Sequence, residues 1–209
     1  MKNTLNSKIS NWHERMEYKE FKNKHSGEKV IVCGLGRSLL DLKNPQDYTI
    51  IGVNDISRQF TPNYLVVLND KTTFLAERWK WIESTKCETI FTHLKHLAIP
   101  DEKKVVLQLG KYGGHDIDKE QIDYTSNSPY VGCIIAAYMG LTKIGILGVD
   151  FTKNHFFKET GEHSLARRVP TINKEYMLLH QRMKEKGIEL VNLSEQSVLT
   201  IPKISLDNF

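Results

Sequence analysis

The residues best suited to chemistry in this chain recur at one kind of place, just after an apolar run. The run KVIVC at 29–33 breaks into Gly34-Leu35-Gly36-Arg37-Ser38. A glycine pair lets the backbone approach a ligand closely, and a following helical turn offers free N–H groups suited to phosphate. Asn54-Asp55 follows a second run, Asn69-Asp70 a third, and Asp150 the late run KIGILGV. Carboxylates in such places can hold magnesium against a polyphosphate, and an Asp beside an Asn is equally a common turn former. The dinucleotide fingerprint needs a third glycine, a full helix behind it and an acid about twenty residues on. Asp55 meets the last condition. Leu39 occupies the third-glycine position, however, and Pro45 cuts the helix short, which argues against a nicotinamide cofactor.

These positions imply a particular scaffold. Strand-like segments at 29–33, 48–53, 64–68, 88–92, 104–109, 143–148 and 188–193 are separated by helical stretches, notably 72–83, 129–139 and 171–186. Strands alternating with helices favour parallel pairing through right-handed crossovers. The expected fold is α/β: a Rossmann-like, mostly parallel sheet with helices on both faces and a lid loop over the carboxyl ends of the strands. In such sheets ligands sit beyond those ends, where the polar residues cluster. Ile9, Trp12 and Met16 stand at helical spacing, so residues 1–26 read as an amphipathic helix docked on one domain at 27–209. Residues 110–127 and 151–170 fall outside the alternation and read as lid candidates.

At 209 residues and 40% hydrophobic content the chain is long enough for one well-packed domain. Its longest apolar runs are too short to span a bilayer and its polar start lacks a signal-peptide core, so a cytoplasmic location with no membrane span is expected. Cys33, Cys87 and Cys133 are odd in number and far apart, which indicates neither a disulfide framework nor a zinc site. The net charge of +4 owes much to Lys153, Lys158, Arg167, Arg168, Lys174, Arg182, Lys184 and Lys186. Such a stretch suits anionic ligands, a nucleic acid included, or a solvated helix face. A homo-oligomer is left open.

Taken together, the turn at 34–39, Asn54, Asn69, Ser128 opening the apolar helix PYVGCIIAAYMG, the strand GILGVDF and His163-Ser164 resemble, in order, the bacterial sialyltransferases of glycosyltransferase family 42 and the related 6-hydroxymethylpterin diphosphokinase-like domain. The closing segment INKEYMLLHQRMKEKGIELVNLSEQSVL adds to the likeness. It covers most of residues 29–199 and is strongest over 127–199. The resemblance implies a glycosyltransferase moving a sugar from a CMP-sugar donor to an acceptor hydroxyl, with no required cofactor. It implies His163 as the general base, Asn54 and Asn69 near the nucleotide, and Ser128 near the donor sugar. An imidazole titrating near neutrality suits that base role.

The chain also departs from the family. Its lid region has no tyrosine and offers Lys158, Arg167 and Arg168, Thr125 replaces an acceptor-side arginine, and Pro129 follows Ser128 in place of glycine. Asp55, Asp70 and Asp150 support an alternative, a magnesium-dependent diphosphokinase, with Asp70 and Asp150 as metal ligands. A non-catalytic nucleotide- or nucleic-acid-binding module is the third reading.

Overall fold

The computed structural model describes residues 16–152, 154–159 and 165–209. Seven strands form one all-parallel sheet: β1 (Lys29–Cys33), β2 (Thr49–Val53), β3 (Tyr64–Val66), β4 (Thr89–Thr92), β5 (Lys104–Val106), and, after an excursion through β6 (Gln108–Tyr112) and β7 (Gln121–Tyr124), β8 (Lys143–Leu147) and, past the hairpin of β9 (Asn154–His155) and β10 (Lys158–Glu159), β11 (Glu189–Asn192). The spatial order β11-β8-β1-β2-β3-β4-β5 reverses direction between β1 and β8. That reversal opens a crevice at the carboxyl ends of those two strands. Four consecutive residues of β1, Val30 to Cys33, are buried, as expected for strands covered on both faces.

Among the described residues three α-helices flank the sheet: α1 (Ala76–Glu83), α2 (Ser128–Tyr138) and α3 (Val169–Glu185). Every residue of α2 is buried. Gly132 brings it against the sheet, where an added Cβ would stand 2.9 Å from Val32 Cγ1. Helix α3 packs on β11 and meets α2 through the edge-to-face pair Tyr130–Tyr176. On the opposite face Gly52 makes room for Ile56, whose 3₁₀ turn supports α1, and Gly145 makes room for Leu193 and Phe209.

The structure departs from the sequence expectation in four places. Residues 110–127 are not a bare loop, because β6 and β7 pair in parallel as a separate two-stranded sheet. The strand expected at 104–109 therefore divides at Leu107, whose N–H bonds back to Thr92 O. The helix expected at 72–83 begins only at Ala76, since the Asp70 carboxylate accepts from Thr72 N and caps the start of a 3₁₀ turn at Lys71–Thr73 first. The helix expected at the N-terminus lies partly outside the described residues, and its described end is a 3₁₀ turn at Tyr18–Phe21. Beyond that turn the N–H groups of Asn23, His25 and Gly27 bond to Tyr138, Met139 and Gly140 O, so they satisfy the end of α2 rather than extend a helix. Tyr18 stacks on Tyr138, with ring centroids 4.4 Å apart. Among the described residues no helix is long and apolar enough to cross a membrane.

Candidate functional site

A cavity of about 590 Å³ opens over the carboxyl ends of β1, β2, β3 and β8, at the reversal of strand order. Gly34, Leu35, Gly36, Asn54, Asn69, Ser128 and Asp150, named from the sequence, all line it. Arg37, Ser38, Asp55, Asp70, Arg167 and Arg168 do not. His163 lies outside the described residues.

The floor is two loops locked together. Gly34 N donates to Leu147 O, and Gly36 N to Gly148 O at 2.6 Å. Asp150 is 1% exposed, yet its carboxylate accepts from Ser38 N (2.8 Å), Ser38 Oγ (2.6 Å) and Ser194 Oγ (2.8 Å), while Ser38 Oγ accepts from Gly148 N. This revises the meaning of the glycine pair. A Cβ on Gly34 would stand 2.4 Å from Gly148 O, and one on Gly36 2.5 Å from Asp150 Oδ2. The space a side chain would need is taken by the β8 loop, so the glycines serve first to let two strand ends meet. Ser38 lies beneath the cavity as part of that lock, and Arg37 points away, exposed.

The carboxylates named together from the sequence are held apart. Asp55 is fully buried and receives Arg78 through Nε (3.0 Å) and Nη2 (2.5 Å), with Arg58 Nη1 at 3.6 Å. Asp70 is exposed and accepts from the backbone and hydroxyl of Thr72, which holds its carboxyl below the usual range. Asp150 is occupied by three donors and Asp70 lies outside the cavity wall, so the structure does not bring the two carboxylates together. Among the described residues no group of three metal-ligating side chains forms.

Among the described residues two buried wall atoms have no hydrogen-bond partner, Asn54 Oδ1 and Thr152 Oγ1. Asn54 and Phe151 also have left-handed backbone (φ 51° and 55°), which is uncommon for Asn and an outlier for Phe. Such strain persists where surrounding structure over-determines it, often at functional sites. The N-terminus of α2, with Asn127 and Ser128, points into the same space. Asn127 is held from behind, its Oδ1 accepting from Tyr176 Oη at 2.6 Å.

Part of the lid expected at 151–170 is the β9–β10 hairpin, which folds back on the glycine loop. Gly36 and His155 form an antiparallel bridge, and Phe156 N donates to Leu35 O at 2.9 Å. Phe157 lies under the Arg58 guanidinium, 3.9 Å from its ring centroid. His155 and Arg78 line the cavity and were missed by reading the sequence. His155 carried a signal, a histidine in the lid segment. Arg78 carried none, because its partner Asp55 is 23 residues away. At the mouth, Arg168 bonds Ser126 Oγ and Tyr112 Oη, and Tyr112 Oη shares a 2.8 Å hydrogen bond with Ser126 Oγ; that bond to Ser126 first, and Arg168 next, lower the Tyr112 phenol. The basic stretch is partly neutralised, since Arg182 and Lys186 both pair with Asp118.

No protein-family model and no curated protein sequence matches the chain. Solved structures do. The sialyltransferase CST-II in complex with a trisaccharide acceptor and CMP is 17% identical, with a TM-score of 0.53 over 85% of this chain and 86% of that one. CstII from Campylobacter jejuni with cytidine-5'-monophosphate is 16% identical at the same TM-score, covering 87% and 86%. The MAf glycosyltransferase of Magnetospirillum magneticum AMB-1 is 13% identical, with a TM-score of 0.57 over 90% of this chain but 35% of that one. At these identities the likeness defines a glycosyltransferase-like α/β fold.

Proposed function

We propose that this chain transfers a sugar from a CMP-sugar donor to an acceptor hydroxyl, with the nucleotide in the cavity over β1 and β8. The observation that carries the reading is the pair of orphaned wall atoms, Asn54 Oδ1 and Thr152 Oγ1. A buried polar atom left unpaired costs about 1–3 kcal/mol, a cost that a nucleoside's hydroxyl and amine donors remove on binding. Two features add support. The α2 N-terminus turns a favourable dipole toward phosphate, with the Ser128 hydroxyl beside it, although Pro129 has no N–H and Tyr130 N already donates to Asn127 O. The similar CST-II and CstII structures hold CMP, one of them beside a trisaccharide acceptor. His163 is proposed as the base on its place in the sequence. It takes the acceptor's proton as the hydroxyl oxygen attacks the anomeric carbon and the nucleotide leaves with the electron pair of its bond to the sugar.

The test is calorimetry and thermal shift against CMP, CDP, UDP, GDP, ATP and NAD(H), followed by mass spectrometry of transfer. CMP binding is expected, with stabilisation of about 2.7 kcal/mol at a hundredfold excess over Kd. Asn54→Ala should weaken CMP by roughly tenfold, the lower end of an unpaired-group cost. His163→Ala should keep CMP binding within a few-fold while turnover drops by about 10²–10⁴. The rising limb of the pH–rate profile should vanish with it. A melting point moved by NAD(H) alone overturns the proposal.

A further inference from the structure

We infer that Tyr176 is a positioning residue: it holds the Asn127 amide so that the NH2 end, and not the carbonyl end, is presented to an anionic oxygen of the bound nucleotide-sugar. This role rests on the glycosyl-transfer reading. Asn127 lines the cavity one residue before α2 and is 8% exposed. An asparagine carries four hydrogen-bonding groups, two on the backbone and two on the side chain. Three of them are committed. The backbone N–H donates to Thr125 Oγ1 (3.1 Å), the backbone carbonyl accepts from Tyr130 N (3.1 Å), and Oδ1 accepts from Tyr176 Oη (2.6 Å). Asn127 stands at the N-cap of α2, yet its side chain makes no cap bond, and among the described residues Nδ2 has no partner.

The two ends of an amide are told apart by their partners. Tyr176 is fully buried on α3, its ring edge-to-face with Tyr130, whose own hydroxyl donates to Gly114 O at 2.7 Å. Burial raises the Tyr176 phenol well above its ordinary range, so the group keeps its proton. A buried O–H needs an acceptor, and of the two amide ends only Oδ1 can accept. The reverse orientation would strand the phenol proton in the core.

The NH2 end is therefore the end left for a ligand. It stands beside Ser128, at the positive end of the α2 dipole. Two N–H donors in that place suit an anionic oxygen, which a nucleotide-sugar can supply from its phosphate or from a carboxylate on the sugar. A carbonyl turned to the same space would repel either one. The hydroxyl of Tyr176 thus decides, from behind the wall, which chemistry the wall accepts.

Calorimetry with cytidine, CMP and an unreactive CMP-sugar whose sugar bears a carboxylate tests this. Asn127→Asp keeps the bond to Tyr176 but puts a carboxylate oxygen where the NH2 stood, so affinity for the anionic ligand should drop by roughly 10²-fold through like-charge contact. Asn127→Ala should lower it by about tenfold, the loss of one hydrogen bond to a charged oxygen. Tyr176→Phe keeps the ring and frees the amide to turn, for a loss of about threefold, and cytidine should stay within about twofold throughout. The double variant Asn127→Ala/Tyr176→Phe should lose no more than Asn127→Ala, because Tyr176 acts through Asn127. It also leaves no hydroxyl stranded, so its comparison with Tyr176→Phe serves if Asn127→Ala is unstable. Losses seen with CMP identify the phosphate as the anion, and losses seen only with the CMP-sugar identify the carboxylate. Single-variant losses that multiply in the double variant, or variants that bind both anionic ligands as wild type does, overturn this inference alone. Wild-type protein that binds neither CMP nor the CMP-sugar overturns it together with the transfer reading.

Discussion

At the cavity floor the β1 and β8 loops are joined by backbone hydrogen bonds and by one carboxylate, Asp150, that binds Ser38 and Ser194. At the outer wall the contacts are between charged and aromatic side chains, in which Asp55 gathers Arg78 and Arg58 and the arginines face Phe157 of the hairpin. The floor holds its geometry through main-chain bonds reinforced by that one buried carboxylate. The wall depends on long side chains brought from separate elements, each free to rotate when its partner is lost.

Paired substitutions break this comparison. Asp150→Ala removes three buried hydrogen bonds to a carboxylate and strands two serine hydroxyls, so a loss of about 3–5 kcal/mol is expected in urea unfolding. Arg78→Gln leaves buried Asp55 with Arg58 alone, at 3.6 Å, and should cost about 2–3 kcal/mol, below the full penalty of an unpaired buried charge. Arg78→Lys should recover little of it, because an ammonium does not reproduce the two-pronged contact. A loss for Arg78→Gln equal to that for Asp150→Ala would erase the distinction between floor and wall.

The smallest expected effect sharpens it. Glu175, in the first turns of α3 behind the mouth, is buried, and burial raises its carboxyl above the usual range, offset in part by Arg168. The folded state then binds more protons than the unfolded state between the two pKa values, so stability falls as pH rises through that window. Glu175→Gln should therefore raise the melting temperature at pH 7, and the gap should close below the ordinary glutamate pKa. A gap of the same size at pH 3.5 and pH 7 would show that the charge plays no part.

Much of the architecture was readable in the chain because it rests on local periodicity. Apolar runs such as KVIVC and TIIGV mark strands buried on both faces, and the order of strand and helix dictates parallel pairing. The rim residues were found the same way, since a strand's carboxyl end is a position in sequence as much as in space. Local reading failed where partners are distant. Nothing in QLGKY or QIDY shows that they pair with each other rather than join the main sheet. Asp55, Asp70 and Asp150 look alike at three strand ends, but one meets two arginines, one caps a turn and one locks two loops.

By itself, then, the sequence determined the strand and helix order and the polar rim, because these follow from 2- and 3.6-residue periodicity and from chain connectivity. Tertiary structure alone decided what each rim residue faces. Gly36 admits Asp150 from 114 residues away because an added Cβ there would lie 2.5 Å from its carboxylate oxygen, and such an approach depends on two loops meeting in space.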